Sequence, residues 1–164
     1  MHTAAQIRAE AHASALRVLR SLELPPGTAL AATGSFARNE MTPHSDIDVI
    51  LIYPEGYEPD PALVEQLWYP VWDAKYRLDY ALRTPQECGA IAAEDASAGF
   101  AQLDLAFVAG RKVLVDEARA QLLAAWRRQL QRGFDDFLDT AITRWKRSGA
   151  VAAMTNPDLK NGRG

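Results

Sequence analysis

Apolar residues recur along this chain with two different periods, and the switches between them mark out its elements. From Ala4 to Leu22 the residues Ile7, Ala11, Ala15, Val18, Leu19 and Leu22 return at helical spacing, which predicts an amphipathic helix with His2 and His12 solvated on or before its outer side. Pro25-Pro26-Gly27 stops it. Leu30-Ala31-Ala32-Thr33 is a short apolar run ending at Gly34, the pattern of a strand entering a tight turn. Phe36 to Met41 reads as a short helix, and Thr42-Pro43-His44-Ser45 as the turn that returns the chain. Ile47-Asp48-Val49-Ile50-Leu51-Ile52-Tyr53 is then an almost wholly apolar strand. Beyond the Pro54–Pro61 loop, one helix is predicted from Ala62 to Asp73, with Trp68 and Trp72 four residues apart on one face, facing the core.

Tyr76 to Arg83 alternates with period two. Leu78, Tyr80 and Leu82 fall on one face, and Arg77, Asp79 and Arg83 on the other. Thr84-Pro85-Gln86-Glu87 supplies the cap and first turn of a helix reaching about Gln102, and Ala106–Gly110 makes a further strand. From Asp116 to Ser148 the pattern turns into long, charged, helical periodicity, with Gly133 placed to bend or break it. The fold class expected is α/β: a small mixed sheet with helices packed against it in residues 1–115, then a helical extension and tail in 116–164. Helices should outweigh strands.

Composition narrows the class. The chain has 164 residues, 48% hydrophobic and 24% charged, which is ordinary for one globular enzyme domain. A net charge of −3 and a pI near 5.6 argue against nucleic acid as an obligatory partner, because the phosphate backbone demands a basic surface. Cys88 is the single cysteine, so no intrachain disulfide or cysteine zinc cluster can form; a small buried residue in a helix is its expected role. No apolar stretch approaches a membrane span and no signal-peptide core opens the chain, so a cytoplasmic protein without membrane contact is expected.

The candidate chemistry lies between Gly34 and Asp48. Gly34 lets a backbone approach a ligand closely, and the Ser35 hydroxyl is placed to cap the following helix or bond a phosphate oxygen. Asp46 and Asp48 would share a strand face about 6.6 Å apart at Cα, close enough to share divalent cations. A charge inside so apolar a strand is costly unless it is paired or metal-bound. Mg²⁺ prefers hard oxygens, and sits between one or two carboxylates and substrate phosphates. Asp79 is the candidate third ligand, or the base for an incoming hydroxyl. Asp104 competes for that place, with Asp73 ranked behind it. Together these residues predict metal-dependent nucleotidyl transfer.

The run Gly34-Ser35-Phe36-Ala37-Arg38-Asn39-Glu40-Met41-Thr42-Pro43-His44-Ser45-Asp46-Ile47-Asp48 resembles the signature of a known family. It is similar to the N-terminal nucleotidyltransferase domain of the bacterial uridylyltransferases and adenylyltransferases that modify the nitrogen-regulatory PII protein, in the DNA polymerase β-like superfamily. The blocks Leu67–Ala74, Arg77–Thr84 and Asn156–Gly164 continue the resemblance in the same order.

The resemblance implies a polymerase β-like fold and a tyrosine hydroxyl of PII attacking the α-phosphate of UTP or ATP, with pyrophosphate leaving. Gly34, Ser35, Arg38 and Ser45 would hold the nucleotide, and Asp46, Asp48 and Asp79 the Mg²⁺. A pair of such ions, about 3.5–4 Å apart, stabilises both attacking and leaving oxygens. The Leu67-to-Thr84 block is most like actinobacterial members, which are associated with adenylylation. The glycines that relatives carry around Thr33 and Ala37 are replaced here, while Gly34-Ser35 is retained. Relatives also continue into a phosphohydrolase domain with a His-Asp pair and into glutamine-sensing domains. This sequence has three histidines and no His-Asp dipeptide, so nucleotide removal and glutamine control are not expected of it. A different small nucleotidyltransferase and a non-catalytic nucleotide- or PII-binding module are the alternatives.

Overall fold

The computed structural model describes residues 2–94 and 96–148. The Asn156–Gly164 block lies outside the described residues. The chain divides after Trp126 into two compact units. The first contains α1 (Ala4–Arg20), β1 (Ala29–Ala32), α2 (Gly34–Ala37), β2 (Ile47–Ile52), α3 (Pro61–Leu67), α4 (Tyr69–Asp73), β3 (Leu78–Arg83), α5 (Pro85–Glu94), α6 (Ala96–Ala101), β4 (Ala106–Gly110) and the opening turns of α7 (Lys112–Ser148). Within the second unit α7 departs from helical backbone at Gly133 (φ −143°, ψ 36°), the residue with the poorest helical preference in that stretch. Among the described residues no helix is long and apolar enough to cross a membrane.

The four strands form one mixed sheet in the order β3-β2-β1-β4. β1 runs antiparallel to β2 and β4, whereas β2 and β3 run parallel. Side chains alternate across a strand, so each face of the sheet carries its own core. Leu30 and Ala32 of β1 and Ile47, Val49 and Leu51 of β2 join Leu19, Trp68 and Val71 in one cluster. Ala29, Ala31, Ile50 and Ile52 point the other way and join Cys88, Leu114, Val115 and Ala118 of α5 and α7. Burying both faces fixes the sheet's register, since a one-residue slip would exchange the two sets.

Local chemistry sets the element ends. Thr3 caps α1 in a reciprocal box with Gln6. The backbone N–H of Thr84 donates to Glu87 Oε2 (2.7 Å) and that of Glu87 to Thr84 Oγ1 (3.2 Å), so the predicted cap of α5 forms. Two predicted single helices are each divided. Pro70 has no N–H to continue the bonding ladder of α3, and the chain restarts as α4. Trp68 at that junction is fully buried against Tyr80, with ring centroids 4.9 Å apart, while Trp72 is 37% exposed, so the two tryptophans do not share a buried face. The helix expected to reach Gln102 becomes α5 and α6, which approach so closely that a Cβ on Gly99 would meet Ala92 Cα at 2.8 Å.

Gly110 closes β4 at φ +85°, and a Cβ there would lie 2.5 Å from the Thr28 carbonyl oxygen and 2.9 Å from Ala29 Cα. Those atoms are backbone and have little freedom to yield. Gly56 has a similar φ of +77° but open space around it. Gly110→Ala should therefore destabilise the fold by roughly 1–3 kcal/mol beyond Gly56→Ala, which bears the conformational cost alone. Thermal unfolding of the two variants checks this, and equal losses would contradict the close approach.

Candidate active site

Asp48 sits on the β2 face that carries Ile50 and Ile52, one step from the start of the strand. The parallel register places Asp79 of β3 directly opposite it. Alternation along β3 gives Asp79, Ala81 and Arg83 that same face, while Leu78 and Leu82 pack against the other core. These residues open onto a cavity of about 360 Å³, lined also by Thr33, Gly34 and Gln102.

Gly34 adopts φ +63°, and a Cβ there would fall 2.7 Å from Asp48 Oδ2. Only glycine can bring backbone so near this carboxylate. The N–H of Thr33 donates to the Asp48 carbonyl at 3.0 Å, which hooks the turn onto β2. α2 is a single turn starting at Gly34, shorter and earlier than the predicted 36–41 helix, and its N-cap is Thr33 rather than Ser35. Asn39 at φ +57° ends it. One turn carries little macrodipole, so any anion at this turn depends on individual N–H groups and not on a helix field.

The other expected site residues are engaged close by. Asp46 precedes β2 and its Oδ1 lies 2.6 Å from Arg77 Nε, a charge contact without an aligned hydrogen bond. Arg77 also donates from Nη2 to the His44 carbonyl at 2.9 Å, tying the turn before β2 to β3. Arg38 donates to Glu40 Oε2 (2.8 Å) and Asp104 Oδ2 (2.6 Å), and those bonds hold its pKa above the ordinary value. Ser45 staples its own turn: its Oγ accepts from the Thr42 N–H at 2.9 Å. The structure thus brings Gly34, Asp48 and Asp79 into one cavity, whereas Asp46 is outside its lining and held by Arg77. Arg38, Ser45 and Asp104 serve contacts outside the lining, and Asp73 is exposed at the end of α4.

His12 is half-buried and stacked on Phe36 of α2 (4.4 Å between centroids), not solvated. Arg83 and Gln102 line the cavity. The shared face of Asp79 and Arg83 was visible in the alternation, whereas Gln102 arrives from a turn with no local signal. Burial pushes the Cys88 thiol up to about 11, with Arg83 partly opposing, so it is a packed hydrophobe in neutral solution. Among the described residues no three carboxylate, imidazole or thiol groups converge on a common point. Two facing carboxylates do suit a hard divalent ion, because Mg²⁺ commonly takes one or two carboxylates and completes its shell with water and phosphate oxygens.

Comparison with known proteins agrees with this chemistry. The nucleotidyltransferase domain family profile matches residues 14–99. The chain is 56% identical over its whole length to a bifunctional uridylyltransferase/uridylyl-removing enzyme of Corynebacterium glutamicum, of which it covers 23%. A protein of the same description from Streptomyces coelicolor is 36% identical over 84% of this chain and 17% of its own length. The chain therefore spans about a quarter or less of the curated relatives it matches. A chain from a crystal structure of a toxin–antitoxin with AMP-PNP aligns over 79% of this chain and 97% of its own, with a TM-score of 0.47 and 12% identity.

Gly34→Ala tests the cradle. The added methyl must displace the Asp48 carboxylate, so nucleoside triphosphate affinity should fall by roughly tenfold or more while the far-UV spectrum is retained. Calorimetric titration with a non-hydrolysable triphosphate reads this. Unchanged affinity would mean that the turn and Asp48 do not share a ligand.

Proposed function

The chain belongs to the nucleotidyltransferase domain family, and from that premise we propose that it transfers UMP or AMP from the nucleoside triphosphate to a tyrosine of the PII signal protein, releasing pyrophosphate. The observation that carries the reading is the facing of Asp48 and Asp79 beside the Gly34 turn. The 56% identity over this chain's length to part of a protein described as a bifunctional uridylyltransferase/uridylyl-removing enzyme supports the acceptor, and a cytoplasmic location is part of the same reading.

Mg²⁺ held by Asp48 and Asp79 would neutralise charge on the transferring phosphoryl group and the leaving pyrophosphate. Asp46 joins that set by releasing Arg77. The side chains of this pair are 40% and 74% exposed, and such contacts contribute about 0–1 kcal/mol, so the exchange is inexpensive. The backbone at Gly34 and the Ser35 hydroxyl hold the triphosphate tail. Asp79, where it is not itself a ligand, accepts the proton of the attacking hydroxyl. Arg38 and Ser45 keep the two turns that frame the cavity in place, and would reach the nucleotide only by leaving their present partners. No enzyme-bound covalent intermediate is required, so the protein's work is positioning and electrostatics.

Incubating the chain with PII, Mg²⁺ and either UTP or ATP should add one nucleotidyl mass to PII with one of the two nucleotides, read by intact mass. Asp48→Asn should slow this by roughly 10²-fold or more, and EDTA should abolish it. A PII that keeps its mass with both nucleotides would overturn the assignment. An Asp48→Asn variant that still binds PII but does not turn over separates the enzyme from a docking module.

A further inference from the structure

We infer that Arg83 is an acceptor-side anchor, taking a carbonyl or carboxylate oxygen from the polypeptide segment that presents the attacking hydroxyl. The inference rests on the nucleotidyl-transfer reading above. Arg83 is the last residue of β3, an edge strand, and lines the cavity shared by Gly34, Asp48 and Asp79. Its Nη1 is shielded from solvent and has no hydrogen-bond partner among the described residues. The neighbouring arginines differ, since Arg77 holds Asp46 and Arg38 holds Glu40 and Asp104. A guanidinium has five donors and no acceptor, so its missing partner must bring an oxygen. Arg83 as a whole is half-buried and lines the cavity, so an oxygen of an entering ligand can reach its guanidinium.

The direction of the reaction says which ligand. In phosphoryl transfer the attacking and leaving oxygens lie roughly in line on opposite sides of the phosphorus. Across the sheet the order is Gly34 at the end of β1, then Asp48 on β2, then Asp79 and Arg83 on β3. With pyrophosphate leaving toward the Gly34 turn, the hydroxyl arrives from the β3 side. Arg83 lies four residues from Asp79, about 13 Å along the strand between Cα atoms, which offsets it along the cavity from the carboxylate pair. It is placed for a group some way along the acceptor chain. Gln102 lines the same cavity, and its amide can both donate and accept, which suits peptide backbone. Arg83 is therefore a specificity residue rather than a catalytic one.

The test uses Arg83→Gln and Arg83→Lys in the full chain, with PII as acceptor and the active nucleotide. Arg83→Gln should raise the KM for PII by about tenfold or more, leave the dissociation constant for the triphosphate within about twofold, and change kcat little. Arg83→Lys keeps the charge and should recover part of the loss, and it replaces the glutamine variant should that fail to fold. Weakened triphosphate binding with an unchanged PII KM would put the arginine on the nucleotide side and overturn the inference, as would two variants indistinguishable from the parent. A parent chain that leaves PII unmodified would defeat the transfer reading and this inference with it. A parent that modifies PII while the variants match it defeats this inference alone.

Discussion

The parallel pairing of β2 with β3 sets Asp48 against Asp79, and like charges placed directly opposite one another across a pair of strands repel. What holds them there is apolar packing on both sides of the same strand. Ile47, Val49 and Leu51 are committed to one core, and Ile50 and Ile52 to the other. Shifting β2 by one residue to separate the acids would carry Asp48 toward the cluster containing Leu30 and Trp68, where a bare charge costs far more than the repulsion it escapes. The hydrophobic registry thus fixes the two acids opposite one another, an arrangement of hard oxygens that suits a divalent cation.

The Gly34 turn completes this arrangement from the other side. It is bound to β2 by the Thr33 N–H on the Asp48 carbonyl, which ties the turn's backbone to the strand that carries the carboxylate. Gly34 is required twice over, for its positive φ and for the 2.7 Å that a Cβ would leave to Asp48 Oδ2. Thr33 follows β1, occupies the N-cap position of α2, lines the cavity and donates its N–H to β2, so one residue links the first strand, the turn and the second strand.

Much of this was readable along the chain because the signals were local and periodic. β4 was bounded as found, and β2 was recognisable from an apolar run interrupted only by Asp48. The period-two alternation of residues 76–83 put Asp79 and Arg83 on one face before any coordinates. What was not readable turned on a distant partner or a single backbone atom. The carboxylate partner of Arg38, Asp104, lies 66 residues away. The Ser45 hydroxyl closes its own turn through the Thr42 N–H. Pro70 broke a helix whose side-chain pattern was continuous, through the loss of one N–H. His12 sits on a helix face that is open until α2 folds onto it with Phe36.

The three arginines around the cavity show how electrostatics divides the labour. Arg77 offsets Asp46, and Arg38 offsets Glu40 and Asp104, in contacts that are partly exposed and therefore weak enough to exchange. Those contacts are made with other carboxylates, and a triphosphate approaching Asp48 and Asp79 would meet like charge. A divalent ion between carboxylates and phosphates resolves that conflict at its centre, where a flexible cationic side chain would have to be desolvated to reach. Arg83 lies on the same face about 13 Å along β3 at Cα, and its Nη1 has no hydrogen-bond partner among the described residues. The alternation of a single edge strand thus puts one carboxylate, Asp79, opposite Asp48 and one guanidinium, Arg83, further along the same face.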